Sequence, residues 1–248
     1  MKILRGSLMF ALATILSFAY TYGLVKTTVQ LPEISDLRDA DNISNNLGYY
    51  ESRAVRNSRQ SVVRVMSVHD EGLASSSGTY FKIKGKHYIV TVSHGILGPC
   101  DSTYIIYGDT NFSKCRNIVA RDDEIDYAVF EVDKLKGINP IKLANIPIGQ
   151  KWKQSFATFS PLYYTGFPNS AGPLTFSGKV AGYARGDYVY MHSYAWSGAS
   201  GAGVFDYEGN YVGLVLAIDV GKTMYGVQAL EDMVVVVPSF KINWKEIK

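Results

Sequence analysis

The chain has 248 residues, 47% hydrophobic and 19% charged, which suits one large or two small packed domains and argues against disorder. Its 25 basic and 22 acidic side chains leave a net charge of +3 with no lysine or arginine tract, so nothing points to a nucleic-acid partner. Four histidines without an HExxH pattern and two isolated cysteines offer no metal site, and no motif calls for a cofactor.

At the amino end, Lys2 and Arg5 precede an uncharged run of twenty residues, Gly6 to Val25. As a helix this run is about 30 Å long, the thickness of a bilayer core. The positive charges ahead of it keep the amino end cytoplasmic and send the bulk of the chain outside. A signal peptide accounts for the same features, with Leu8–Leu16 as its apolar stretch and Ser17-Phe18-Ala19 as its cleavage site. Both readings stay open: residues 1–26 are a signal anchor or a signal peptide. The remainder is expected to be membrane-anchored with its domain non-cytoplasmic, or secreted or periplasmic. Residues 27–57 are polar, show little sustained periodicity and read as a spacer arm with at most a short helix.

From Ser61 onward the texture changes. SVVRVMSV, TYFKIKGKHYIVTVS, STYIIYG, NIVARDD, DYAVFEV, SGKVAGYA, DYVYMHS, AGVFDYEGNYVGLVLAI and VVVVPSF are short runs rich in Val, Ile, Tyr and Phe, separated by turn signals such as KGK, YGD and YEGN. Many short strands at this spacing predict an all-β barrel or sandwich pair. No helical pattern of useful length follows residue 61, apart from a short one near the carboxyl end. Cys100 and Cys115 flank a predicted hairpin; they form a disulfide in an oxidising compartment, or are two buried thiols.

WSGASGAGVF, residues 196–205, places three glycines and two serines within eight residues. Glycine inside an element costs roughly 0.5–1 kcal/mol relative to alanine. The cluster is therefore a tight turn or a place where something approaches the main chain closely. Two further residues sit at strand edges: His94 after the run ending at Ser93, and Asp126 before the apolar YAVFEV. The order is His94, Asp126, Ser200, with separations of 32 and 74 residues.

These segments resemble the motifs of trypsin-like serine proteases. VTVSHGI resembles their histidine motif, written TAAHC or, in the HtrA branch, TNNHV. DYAVFEV is similar to their D-[IL]-A-[VL] strand, and GASGAGV to GDSGGP. The spacings, SVVRV at 61–65, the 164–182 segment and DYEGNYVGLVLAI at 206–218 resemble the compact HtrA branch. The resemblance covers about residues 58–238. It implies a chymotrypsin-like double six-stranded β-barrel, approximately 58–140 and 141–240, within a protease domain at 58–248. An amino-terminal hydrophobic helix is expected ahead of it.

The resemblance also implies a serine endopeptidase acting on a protein or peptide substrate without a cofactor. Ser200 needs a base to lose its proton, and His94 is the side-chain type whose ordinary pKa lies near neutrality. Asp126 then holds the imidazole in the useful tautomer. The main-chain N–H groups of Gly198 and Ser200 face the oxygen that becomes negative. Ala199 stands where trypsins have an aspartate that pairs with a freed amino terminus, so that activation switch is not expected. Tyr194, six residues before Ser200, and the strand Leu216-Ala217-Ile218 occupy the substrate-binding positions. Basic specificity is not expected, and Ile218 favours small or medium apolar residues; Tyr194 and Ile218 read equally well as packing in the second barrel. About ten residues follow Pro238, so no PDZ domain is expected. Two other classes compete: a catalytically inactive protease-fold protein that binds peptides at a membrane, cell or virion surface, and an unrelated β-sandwich. The oligomeric state is not legible.

Overall fold

Val, Ile, Tyr and Phe at alternate positions give each strand two apolar faces or one, and the barrels follow from where those faces go. The computed structural model describes residues 52–70, 72–108, 111–223 and 226–247, and of 219–231 the backbone only. The first barrel comprises β1 (Val62–His69), β2 (Gly72–Ile83), β3 (Lys86–Thr91), β4 (Thr103–Tyr107), β5 (Asn111–Asp122) and β6 (Tyr127–Val132). These pair in the order β1-β4-β5-β6-β3-β2, and β2 returns to β1. A two-residue strand, β7 (Ile141–Lys142), adds to β2 in parallel. The second barrel closes as β10-β13-β12-β11-β8-β9, from β8 (Pro161–Gly166), β9 (Leu174–Ala184), β10 (Tyr188–His192), β11 (Gly203–Asp206), β12 (Tyr211–Thr223) and β13 (Gly226–Pro238). This is the chymotrypsin-like double barrel that the sequence implied.

Side chains alternate across a strand, and β2, β3 and β6 use both faces. Tyr80, Ile89, Ala128 and Phe130 fill the first barrel together with Val63, Val65 and Ile105. Their neighbours Phe81, Tyr88, Val90 and Val129 point the other way, onto Tyr211, Leu214 and Val237 of the second barrel. That double duty explains why YIVTV and YAVF are continuous apolar runs rather than alternating ones. The second barrel has its own core of Leu162, Tyr164, Val180, Met191, Val204, Val212 and Val236.

Helix α1 (Arg53–Ser61) spans the expected boundary between arm and domain. Ser52 caps it, accepting from the Val55 N–H at 3.2 Å. Its buried face is Ala54, Ser58 and Ser61, and the Ser58 hydroxyl meets that of Thr165 at 2.7 Å. A face of one alanine and two serines carries no apolar period, which is why the sequence showed none. A second helix, α2 (Lys151–Ser155), is too short for periodicity to reveal. At the carboxyl end there is a 3-10 turn at Ser239–Lys241. Cys100 and Cys115 form a disulfide across the β4–β5 hairpin, with Cα atoms 5.2 Å apart. Among the described residues no helix is long and apolar enough to cross a membrane. The Gly6–Val25 run and the arm up to residue 51 lie outside them.

Candidate active site

His94 lies three residues beyond the end of β3, and Asp126 lies immediately before β6, the strand beside β3. Asp126 has φ +67, and the turn ahead of it is built by Asp122, whose carboxylate accepts from the Glu124 and Ile125 N–H groups at 2.9 and 2.8 Å. This turn delivers the Asp126 carboxylate to His94. Its Oδ2 lies 2.6 Å from the ring Nδ1, and its Oδ1 accepts from the His94 main-chain N–H at 2.8 Å. A carboxylate at Nδ1 assigns the ring proton there and leaves Nε2 as the acceptor. Burial raises the Asp126 carboxyl pKa. The hydrogen bonds from the His94 ring and main chain, together with the imidazole charge, outweigh that and hold it below the usual carboxylate value. Next to His94, the Ser93 hydroxyl donates to Asp123, which also accepts from Arg121 Nε at 2.8 Å.

Ser200 sits in the turn between β10 and β11. Its carbonyl accepts from the Ser77 N–H of β2 at 2.8 Å, which ties the turn to the first barrel. Gly201, at φ +87, packs so tightly against the Ser77 carbonyl and the Thr91 hydroxyl that a Cβ would collide with both. Thr91 ends β3 three residues before His94, so this packing ties the turn that holds Ser200 to the strand that leads into His94. The Ser200 hydroxyl makes no hydrogen bond to His94 or to any other described residue.

The amides of the turn alternate in use. Ala199 N–H donates to the Trp196 carbonyl at 2.9 Å and Gly201 N–H to the Val215 carbonyl at 2.7 Å. Between and before them, the Gly198 and Ser200 N–H groups have no acceptor among the described residues. Gly198 has φ +95, and a Cβ there would strike the Phe167 carbonyl, so glycine is required twice over.

Tyr194 is 58% exposed, and its ring stacks on Trp196 with centroids 6.0 Å apart. Its carbonyl accepts from the buried Tyr164 hydroxyl. It is thus held by its backbone, with the side chain outside the second-barrel core. Ile218 is half-buried against that core, while Leu216 leans on the cluster between the barrels and Ala217 is exposed. On the β11 side, β12 is paired only as far as Leu214, so the edge at residues 216–218 has no neighbouring strand among the described residues. Several contributors carried no signal as residue types: Ser77, Arg64, Asn169, Ser93 and Asp123. Each acts through a contact with a residue distant in the chain.

The trypsin-like peptidase domain model matches residues 76–214, more than half of the chain. The chain belongs to the trypsin-like peptidase family. No curated protein matches it in sequence. Among solved structures it is similar to the serine endoprotease from Yersinia pestis, at 20% identity and a TM-score of 0.59 over 79% of this chain and 65% of that one. The HtrA-type protease AlgW with a tripeptide aligns at 19% identity and a TM-score of 0.60, over 76% and 60% of the two chains. The Rv3671c protease from M. tuberculosis in its active form aligns at 16% identity and a TM-score of 0.61, over 79% and 83%. The peptidase spans less than two thirds of the first two. At such identities the likeness is one of fold.

Proposed function

We propose that this peptidase is a serine endopeptidase that cleaves by acyl transfer through Ser200. One observation carries the reading. The His94–Asp126 pair follows β3, and the turn with two amides that have no acceptor among the described residues packs through Gly201 against Thr91 at the end of that strand.

In this reading a peptide lies extended along the free edge of Leu216-Ala217-Ile218 and pairs with it as an added strand. The Ser200 oxygen attacks the scissile carbonyl carbon as its proton passes to His94 Nε2. The carbonyl oxygen becomes negative and is met by the Gly198 and Ser200 N–H groups, each such donor being worth about 2.7–4 kcal/mol in the barrier. Asp126 stabilises the imidazolium through Nδ1. His94 then protonates the leaving amine as the C–N bond breaks, leaving an ester on Ser200. Water attacks that ester as His94 takes its proton, and His94 passes that proton to the Ser200 oxygen as the acyl C–O bond breaks and the carboxylic acid product leaves. Ile218 favours small or medium apolar side chains, and no carboxylate is placed at Tyr194 to recruit Lys or Arg.

A fluorophosphonate probe tests the proposal. Labelling of the wild type and not of Ser200→Ala supports it. Folded wild-type protein that stays unlabelled would overturn it and leave peptide binding without turnover. From the sequence, Gly6–Val25 carries the domain out of the cytoplasm. Carbonate washing separates a retained anchor, which leaves full-length chain in the membrane pellet, from a cleaved signal peptide, which releases a shortened one.

A further inference from the structure

Ala199, within the nucleophile turn, is apolar and fully buried, so no ion pair braces the turn at that position. What holds it comes from the first barrel. Arg64 on β1 and Ser77 on β2 are register partners, so their side chains leave the sheet on the same face.

Ser77 is fully buried and uses every polar atom it has. Its N–H donates to the Ser200 carbonyl at 2.8 Å, and its carbonyl accepts from Thr91 Oγ1 at 2.6 Å. Its hydroxyl donates to the Gly198 carbonyl at 2.7 Å and accepts from the Phe167 N–H at 2.9 Å. Arg64 donates through Nε to Ser75 Oγ at 2.9 Å and through Nη2 to Ser170 Oγ at 2.7 Å. The loop Phe167–Ser170 is therefore held at both ends by one cross-strand pair. Within it the Asn169 N–H donates to the Ser197 carbonyl at 2.6 Å. Asn169 and Ser170 have φ +49 and +61, a left-handed backbone that the loop keeps at a cost.

Peptide planarity turns these contacts into a statement about the amides. In a trans peptide the C=O and the following N–H point in opposite directions. The Ser197 carbonyl faces Asn169, so the Gly198 N–H faces away from the loop. The Gly198 carbonyl faces Ser77, so the Ala199 N–H turns inward to Trp196. The Ser200 carbonyl faces the Ser77 N–H, so the Gly201 N–H turns to Val215. Loss of the Ser77 hydroxyl frees the 198–199 plane directly. Through Phe167 it also frees the loop that orients the 197–198 plane.

We infer that Ser77, assisted by Arg64, is a positioning residue: a latch from the first barrel that keeps the Gly198 amide aimed at the reacting carbonyl. This rests on the acyl-transfer reading and adds to it a side chain that touches neither substrate nor reacting atoms.

The test compares wild type, Ser77→Ala and Asn169→Val in peptide hydrolysis and in inhibition by a peptide aldehyde, whose adduct carries the tetrahedral oxyanion. A misplaced donor lowers kcat by about ten- to a hundredfold with KM within about twofold, and weakens the aldehyde by the same factor as kcat. The pH midpoint of kcat stays in place, because His94 and Asp126 are untouched. Asn169 is exposed, so its valine variant folds even where Ser77→Ala does not, and Asn169→Gly recovers most of the loss. Wild type that turns over while both variants keep kcat and aldehyde affinity within about twofold overturns the latch alone. Wild type that neither hydrolyses peptide nor reacts with a fluorophosphonate overturns the acyl-transfer reading, and the latch with it.

Discussion

His94 and Asp126 are joined twice, ring to Oδ2 at 2.6 Å and main chain to Oδ1 at 2.8 Å, so both carboxylate oxygens face donors of a single residue. An amide cannot satisfy that arrangement. In Asp126→Asn the nitrogen must face either the ring or the main-chain N–H, and facing the ring it forces the proton onto Nε2, where the proposed acyl transfer requires an acceptor. The expected result is a fall in kcat of about 10⁴ with little change in fold. A variant retaining a tenth of wild-type turnover would remove Asp126 from its role.

The same pair predicts an acid limb in stability. Burial pushes the Asp126 carboxyl up and the His94 contacts pull it further down, so its folded pKa lies below its unfolded one. A depressed carboxyl contributes stability that is fully present above the unfolded value of about 3.9 and is lost as pH falls through the folded value. Thermal midpoints of wild type and Asp126→Asn should therefore keep a constant gap near neutrality and converge below about pH 4. A gap that persists through the whole acid range would show that the carboxylate is not held as described.

The Cys100–Cys115 bridge closes a sequence separation of 15 residues around the β4–β5 hairpin. A loop of that length restricts the unfolded chain by about 3 kcal/mol. The double variant Cys100→Ala/Cys115→Ala should lose close to that amount in urea unfolding. Loss of under about 0.5 kcal/mol would mean that the unfolded chain is not constrained by the bridge.

Strand content was legible because apolar runs leave a local trace, whereas the residues left barrel and sandwich open and the double barrel followed only from the resemblance. The residues proposed for acyl transfer stood out as a histidine at a strand end and glycines crowded round a serine. Ser77 leaves no such trace. In SSSGTY it is one of three serines, and only its register opposite Arg64 and its approach to Phe167 and Gly198, 121 residues away, distinguish it. Helix α1 was hidden for a related reason, since Ala54, Ser58 and Ser61 are buried by fitting closely rather than by being apolar. Tyr194 shows the opposite failing. Its distance from Ser200 suggested either a substrate-binding position or packing in the second barrel, but its exposed ring is stacked on Trp196 and its carbonyl is held by the Tyr164 hydroxyl, a contact no spacing reveals.

Tyr211 and Tyr164 are both fully buried, yet the same substitution should act on them in opposite directions. The Tyr211 hydroxyl has no partner among the described residues, while its ring meets Phe81, Phe205 and Trp244 edge-on at 4.9, 5.8 and 6.1 Å. Burial drives its phenol pKa upward, so it stays neutral and cannot gain from ionising. Tyr211→Phe keeps the ring contacts and removes an unsatisfied polar group, which should raise stability by about 1 kcal/mol. The Tyr164 hydroxyl donates to the Tyr194 carbonyl, so Tyr164→Phe removes a bond and strands an acceptor, at a cost of about 1 kcal/mol. Urea midpoints at constant slope measure both. Destabilisation by Tyr211→Phe equal to that of Tyr164→Phe would mean that the Tyr211 hydroxyl is bonded after all.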